Sequence, residues 1–117
     1  MRKTTITKLK KECDRVFSLW VRNRERACVT CGSRNNLQAG HYVSRSVNIL
    51  RFDERNVHTQ CVSCNIFKRG NMVEYSAFML RKYGPDIIKK LLKEKQKLHQ
   101  FSRKELEKLI KHYNPLK

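Results

Sequence analysis

The sequence predicts an α+β protein in which basic amphipathic helices frame a small central β segment. Apolar residues recur at three- and four-residue steps near both ends of the chain, whereas this period is absent between residues 27 and 68. We therefore expect a single domain over 1–117, made of an N-terminal helix (1–26), a central core (27–70) and C-terminal helices (71–117). A chain of 117 residues buries a small core, so further stabilisation is expected.

The N-terminal helix is predicted from residue 6 to about residue 26. Its apolar positions form one stripe: Ile6, Leu9, Cys13, Val16, Phe17, Trp20 and Val21. The opposite face carries lysines and arginines, which suit either water or a phosphate backbone. Because Cys13 lies on the stripe, it is interpreted as core filling.

The central segment contains two short β-prone stretches, at about 37–43 and 56–60, and is punctuated by Gly32 and Gly40. These residues predict a compact β segment with a long loop.

Three helices are expected after Gly70. Asn71 with Glu74, and Ser102 with Glu105, have the spacing of capping boxes. Gly84 and Pro85 separate the first helix from the second, and the last should end near residue 113. The expected buried positions are Met72, Tyr75, Phe78, Met79 and Tyr83, then Ile87, Ile88, Leu91, Leu92 and Leu98, then Leu106, Leu109 and Ile110.

The net charge indicates a polyanionic partner. Lysine and arginine total 27 against 10 acidic residues, which gives a formal charge of +17. The excess is +6, +5 and +6 over residues 1–26, 27–85 and 86–117, so it is not a basic tail. Solvated helix faces explain single lysines, but solubility requires much less charge, and nucleic acid is the favoured partner.

A membrane is not an expected partner. The chain has no apolar run of the roughly 18 residues that a spanning helix needs, and its charged start lacks the apolar region of a signal peptide. We expect a soluble, cytoplasmic protein, in a host cytosol if a phage encodes it.

Four cysteines form two CxxC hooks, Cys28 with Cys31 and Cys61 with Cys64. Paired hooks of this spacing are typical of tetrahedral structural zinc sites. Two disulfides are the alternative, which a reducing cytosol disfavours. Zinc with four thiolates would lower the formal charge from +17 to about +15, so the expectation of a polyanionic partner is unchanged.

The segments AGHYVSR (39–45) and RFDERNVHTQC (51–61) add a family resemblance. Together with both hooks, Asn65 and Lys68, they resemble zinc-containing HNH endonucleases of the ββα-metal, or His-Me finger, class. More narrowly, residues 6–84 resemble the phage NinG family, also called Rap.

The resemblance implies a zinc-stabilised ββα-metal (HNH-like) core that holds one catalytic divalent ion. His41 matches the general base, Asn56 the residue that holds the loop, and Asn65 a metal ligand at the start of the following helix. It further implies cleavage of branched recombination DNA, such as junctions, with 5′-phosphate products.

One family ligand is missing, because Gly40 stands where many HNH proteins place a metal-binding side chain. His58 is the predicted substitute, since it shares a strand face with Asn56; Asp53 is a weaker candidate. Alternatively, His58 is a structural residue of the zinc knuckle and water completes the ion's coordination. A structural role is likewise the alternative for His41, while His99 and His112 are expected at the surface.

These residue types suit phosphodiester hydrolysis. A neutral imidazole can deprotonate water near pH 7, and Mg²⁺ or Mn²⁺ would stabilise charge on the phosphate. Zinc with four thiolates has no open position, so the two metals should be separate. Arg45, Arg51, Arg55, Lys68 and Arg69 are predicted to bind the DNA backbone, without base-specific readout.

The preferred hypothesis is a metal-dependent DNA endonuclease, selective for branched structures. One rival is a non-catalytic zinc module that binds nucleic acid. The other is an adaptor that binds phage or host recombination proteins. The oligomeric state is open, although symmetric cleavage of a junction would favour a homodimer.

Overall fold

The computed structural model describes residues 4–115, beginning with the long helix α1, Ile6–Arg24. The Thr5 hydroxyl caps this helix by accepting a hydrogen bond from the Lys8 amide at 3.1 Å. The predicted stripe is confirmed for Leu9, Cys13, Val16, Phe17 and Val21, which are buried; Trp20 is half-buried against the same core, and Ile6 is exposed.

Strands β1, Leu37–His41, and β2, Val57–Cys61, form an antiparallel hairpin. Leu37 pairs with Cys61 and His41 with Val57, so the ends of the strands bring the hook at 61–64 near the start of β1. The long loop between the strands carries one helical turn, α2, Asn48–Arg51. Both strands begin or end within two residues of the predicted β stretches.

The second hook leads into a π-helical turn, Ser63–Phe67, and three helices follow: α3, Met72–Tyr83; α4, Ile87–Glu94; and α5, Arg103–Tyr113. The capping bond predicted at Ser102 is present, because its hydroxyl accepts from the Glu105 amide at 3.1 Å. The break at Gly84 is confirmed as well, with Gly84 at φ +95°.

The hairpin lies between α1 and α3. On one face the Thr59 hydroxyl donates to the Val21 carbonyl of α1 at 3.1 Å, and on the other the His58 ring lies 3.2 Å from the hydroxyl of Tyr75 of α3. Two apolar cores result. The α1 side contains Phe17, Phe52, Val57, Phe101, Leu106 and Tyr113, and the α3 side contains Val43, Leu50, Tyr75, Met79, Ile87 and Leu91.

Two local predictions on these helices were wrong. Asn71 makes no capping bond to α3; it adopts φ +47°, and its side-chain amide lies 3.6 Å from Cys64 Sγ, so the cysteine cluster determines its conformation. Of the positions predicted to be buried, Leu98 is fully exposed, because α4 ends at Glu94 before that position, and Leu92 and Met72 are also exposed.

The α+β prediction is confirmed for residues 4–115, which combine a two-stranded sheet with helices. The order strand, loop, strand is as expected, but the element after β2 is a single π-helical turn and not an α-helix. In the same residues, no helix is both long enough and apolar enough to cross a membrane.

Candidate functional site

The two CxxC hooks meet in one cluster. The sulfurs of Cys28, Cys31, Cys61 and Cys64 all lie within 4.8 Å of one another, and all but Cys31 are buried. Tetrahedral zinc with bonds of about 2.3 Å places its sulfurs about 3.8 Å apart, close to the 3.6 Å between Cys31 and Cys61. All four are free thiols, so the cluster fits a metal ion such as zinc and the two-disulfide alternative is absent.

The cluster favours the thiolate form at Cys28, whereas contacts with the neighbouring sulfurs raise the pKa of Cys31 to about 12. Burial raises the pKa of Cys28, but a hydrogen bond with the Thr30 hydroxyl and bonds from backbone amides outweigh it and lower that pKa to about 6. Cys28 is therefore ionised near neutral pH, as metal binding requires.

A cleft of about 680 Å³ opens between α1 and β1. It brings together three of the predicted site residues, His41, Arg45 and Asn65, from the end of β1, the loop after it and the π-helical turn. The other polar residues that line it are Asp14, Ser18, Arg22, Gln38 and Ser44.

His41 is held in one tautomer. Its Nε2 lies 2.9 Å from the Arg51 carbonyl oxygen, and a carbonyl only accepts, so Nε2 carries the proton and Nδ1 keeps a lone pair. Burial lowers the pKa of His41 below its usual value, more than the Arg51 carbonyl raises it. The ring is therefore neutral at pH 7, as a general base must be.

The loop that supplies the Arg51 carbonyl is anchored to α1. The Arg51 guanidinium forms a bidentate ion pair with Asp14, with Nε 2.9 Å from Oδ1 and Nη2 in contact with Oδ2. Sequence reasoning missed Asp14, Ser18 and Arg22, although their spacing of four residues places them on one helix face. Only the packing of α1 over β1 makes that face part of the cleft.

Asn56 fastens the same loop from inside. It is fully buried, its Oδ1 accepts from the Val43 amide at 2.8 Å, and its Nδ2 donates to the carbonyls of Val43 and Leu50 at 3.0 and 3.1 Å. These three bonds tie the chain just after His41 to the loop helix, which is the geometry that the predicted role requires.

The structure contradicts the expectation that His58 supplies a metal ligand beside His41. His41 pairs with Val57, so His58 points to the opposite face of the sheet, where Asn56 also lies. It is fully buried, and its nitrogens lie 3.2 and 2.7 Å from the hydroxyls of Tyr75 and Tyr83. The predicted face shared with Asn56 is correct, but that face is not the one that carries His41.

The hydrogen-bond partners of His58 determine which of its ring nitrogens carries the proton. Tyr75 donates its only hydroxyl proton to the Gly40 carbonyl at 2.6 Å, so it accepts from Nδ1–H, and Nε2 accepts from Tyr83. Burial, with the positive charges of Arg24 and Lys82, lowers the pKa of His58 to about 3. Neutral His58 thus supports the Gly40–His41 peptide, and it does not bond within the zinc knuckle.

A catalytic Mg²⁺ or Mn²⁺ ion does not fit the donors of the cleft. Asn65 keeps its Oδ1, because its Nδ2 donates to Gln38 at 2.8 Å, but the carboxylate of Asp14 is neutralised by Arg51. Asp53, the weaker candidate, is paired with Arg55. Mg²⁺ is normally held by at least one carboxylate. Within residues 4–115, the four cysteines are the one group of three or more His, Cys, Asp or Glu side chains placed to hold a metal ion.

Gly40 has a packing reason to lack a side chain. A Cβ atom there would lie 2.1 Å from the Gln60 Oε1 atom, and Gln60 is held by a bond to the Gly70 carbonyl at 2.7 Å. A metal-binding residue at position 40 would displace that buried amide.

The five arginines and lysines predicted to bind DNA fall into two groups. Arg45, Lys68 and Arg69 are exposed, and Arg45 lines the cleft. Arg51 and Arg55 are instead paired with Asp14 and Asp53. Their charges are therefore neutralised within the protein, and both ion pairs stabilise the loop between the strands. His99, expected at the surface, is half-buried and lies 2.8 Å from Glu105.

Comparison with known proteins bears on these residues. The family model described as Bacteriophage Lambda NinG protein matches residues 2–116. The chain belongs to the NinG family. The NinG resemblance of the sequence is thereby confirmed, whereas membership of the HNH class stays a prediction.

Three NinG proteins illustrate the extent of the similarity. The chain is 37% identical to Protein ninG of Escherichia phage 933W over 83 residues, 67% of this chain and 41% of that protein. The chain is 39% identical to Protein ninG of Salmonella phage P22 over 79 residues, which are 63% of this chain and 39% of that protein. It is 36% identical to Protein ninG of Escherichia phage lambda over 83 residues, which are 67% of this chain and 41% of that protein. The chain thus spans about two fifths of the length of these NinG relatives, and no solved structure matches it.

Proposed function

We propose that this NinG-family chain is a DNA endonuclease in which His41 is the general base. The observation that carries the proposal is the fixed tautomer of His41: Nε2–H is bound to the Arg51 carbonyl at 2.9 Å, and the ring lines the cleft. Its Nδ1 is left to take a proton from water; the resulting hydroxide attacks phosphorus as the P–O3′ bond breaks, and the departing 3′ oxygen is protonated from solvent.

The cleft supplies positive charge for the phosphate. Arg22, oriented by the Ser18 hydroxyl at 3.1 Å, and exposed Arg45 both line it. Guanidinium groups bind phosphate oxygens in bidentate fashion and stabilise the charge that grows on them during in-line attack. The net charge of +17 would add sequence-independent affinity for the backbone.

Dependence on Mg²⁺ or Mn²⁺ stays a prediction and enters the test as a variable. Selectivity for branched recombination DNA also rests on the family resemblance, as do a homodimer and recombination partners. The rival binding module shares the charge and the zinc cluster, but it gives no reason for a half-buried histidine of lowered pKa to line the cleft.

The decisive variant is His41→Gln, because glutamine can still donate to the Arg51 carbonyl but cannot act as a base at neutral pH. We expect labelled junction DNA to be cut by the native protein and not by this variant, with affinity and zinc content unchanged. His112→Gln, on the exposed histidine of α5, is the matched control and should cut normally.

Each reaction is run with Mg²⁺, with Mn²⁺ and with no added divalent ion, on linear duplex, single strand and four-way junction. Since the pKa of His41 is lowered, the rate should be level near pH 7 and fall only in acid, with its midpoint below the usual 6.5 of histidine. Undiminished cutting by His41→Gln would remove His41 from the mechanism. Binding without cutting by the native protein under all three conditions would favour the non-catalytic module.

A further inference from the structure

Phe67 is an exposed aromatic residue that the fold does not use. It ends the π-helical turn and is 79% exposed. Its neighbour Ile66 lines the cleft of His41, and the exposed cations Lys68 and Arg69 follow it. A single exposed apolar residue is ordinary on a protein surface, so what distinguishes Phe67 is its place beside the cleft and next to two cations.

The ring is presented on a rigid support. The turn contains the cluster cysteine Cys64, whose carbonyl accepts from the Gly70 amide at 2.8 Å, and the Lys68 amide donates to the Ser63 carbonyl at 2.9 Å. The side-chain amide of Gln60 donates a hydrogen bond to the Gly70 carbonyl at 2.7 Å. A ligand that packs on Phe67 therefore has little loop entropy to overcome.

The surrounding charge selects the class of ligand. In the part of the chain that the structure describes, neither Lys68 nor Arg69 forms an ion pair with a carboxylate. An aromatic face beside uncommitted cations is the arrangement that binds single-stranded nucleic acid, with a base stacked on the ring and phosphates on the cations. A duplex keeps its bases stacked inside and cannot use the ring in this way.

We propose that Phe67 is a stacking platform for an unpaired base, placed beside the cleft by the π-helical turn. Lys68 and Arg69 hold the phosphates that flank this base. The preferred substrate is then DNA with a single-stranded segment next to the phosphate that is cut. The position of that phosphate rests on the proposed function, whereas the stacking site does not.

The test measures binding with no cleavage, in the His41→Gln background. Affinities for a single-stranded oligonucleotide and a blunt duplex of equal length are compared by fluorescence anisotropy. Phe67→Ala should weaken single-strand binding by about five-fold or more, since a stacked base is worth roughly 1–3 kcal/mol, and should leave duplex binding within about two-fold. Val73→Ala, at a position 82% exposed on α3, is the matched control and should change neither.

Phe67→Trp gives a second readout. The stacked indole should keep the affinity, and its emission should be quenched by single-stranded DNA beyond any change from Trp20 in the parent protein. Removing Lys68 or Arg69 should lower the salt dependence of single-strand binding by about 0.7 in slope each. Equal losses on both DNAs, or no quenching in Phe67→Trp, would overturn the stacking site.

The two proposals fail separately. A His41→Gln protein that still cuts DNA removes the general base; the same affinity comparison is then made with uncleavable DNA and still tests the stacking site. A Phe67→Ala protein with unchanged single-strand affinity removes the stacking site while His41-dependent cutting is unaffected.

Discussion

Acid should destabilise this protein through His58 in particular. The ring is fully buried, and both nitrogens are engaged by tyrosine hydroxyls with Nδ1 protonated and Nε2 accepting. A second proton would have to replace the bond that Tyr83 donates, at a buried nitrogen whose nearby acidic group is the Glu25 carboxylate at 3.7 Å. Because the pKa is lowered in the folded state, the stabilisation is complete above the unfolded pKa and declines as the pH falls below it.

The magnitude follows from the two pKa values. The pKa of His58 falls from its ordinary 6.5 to about 3 on folding, and each pKa unit is worth about 1.4 kcal/mol. Between about pH 7.5 and pH 5 the folded protein should lose on the order of 2 kcal/mol through this residue alone. The loss continues until the pH reaches the folded value.

The assay compares the native protein with His58→Gln, which keeps a hydrogen-bonding amide but does not titrate. Urea unfolding is measured at both pH values with saturating zinc, so that protonation of the thiolates is common to both proteins. We expect the native protein to lose about 2 kcal/mol more than the variant. Equal losses would refute a neutral, buried His58, and His112→Gln should behave as the native protein does.

Two further predictions concern the scaffold. Cys61→Ser should abolish zinc binding and cooperative unfolding, because ligation contributes on the order of 10 kcal/mol in small zinc modules. The control Cys13→Ala, in the apolar core, should keep one zinc per chain in a colorimetric assay. A Cys61→Ser protein that is folded without metal would contradict the scaffold role. Asn56→Ala should cost about 2 kcal/mol or more in urea, since it leaves the amide and the carbonyl of buried Val43 without partners, while the Leu50 carbonyl keeps its bond from the Asp53 amide. Exposed Asn35→Ala should change stability by less than about 0.5 kcal/mol, and similar small effects of both would disprove the loop-fastening role.

Local pattern was sufficient wherever the physics is local. The spacing of Leu9, Cys13 and Val16 predicted the buried face of α1, because a helix repeats every 3.6 residues whatever it packs against. The spacing of the two CxxC hooks predicted that the four cysteines lie together, because four thiolates at that spacing can bind one zinc ion. The hydroxyl of Ser102 caps α5 within one turn of chain, so no distant residue was needed.

Sequence patterns failed to predict side-chain contacts between residues that are distant in sequence. Alternation correctly placed His58 on the face of Asn56, but only the register of β1 with β2 decided that His41 lies on the other face. The same holds for Asn71, whose side chain reaches Cys64 instead of capping α3, and for Arg51, whose charge is taken up by Asp14 from a helix 37 positions away.

The sequence by itself therefore determined the long helices, the two β stretches and the cysteine cluster, and its family resemblance singled out His41. The tertiary structure alone decided which groups face that histidine: Asp14, Ser18 and Arg22 of α1 line its cleft, and Gly40 is kept bare by Gln60. The physical reason is that periodicity fixes a side chain's direction within its own element, whereas the neighbour it meets depends on how separate elements pack.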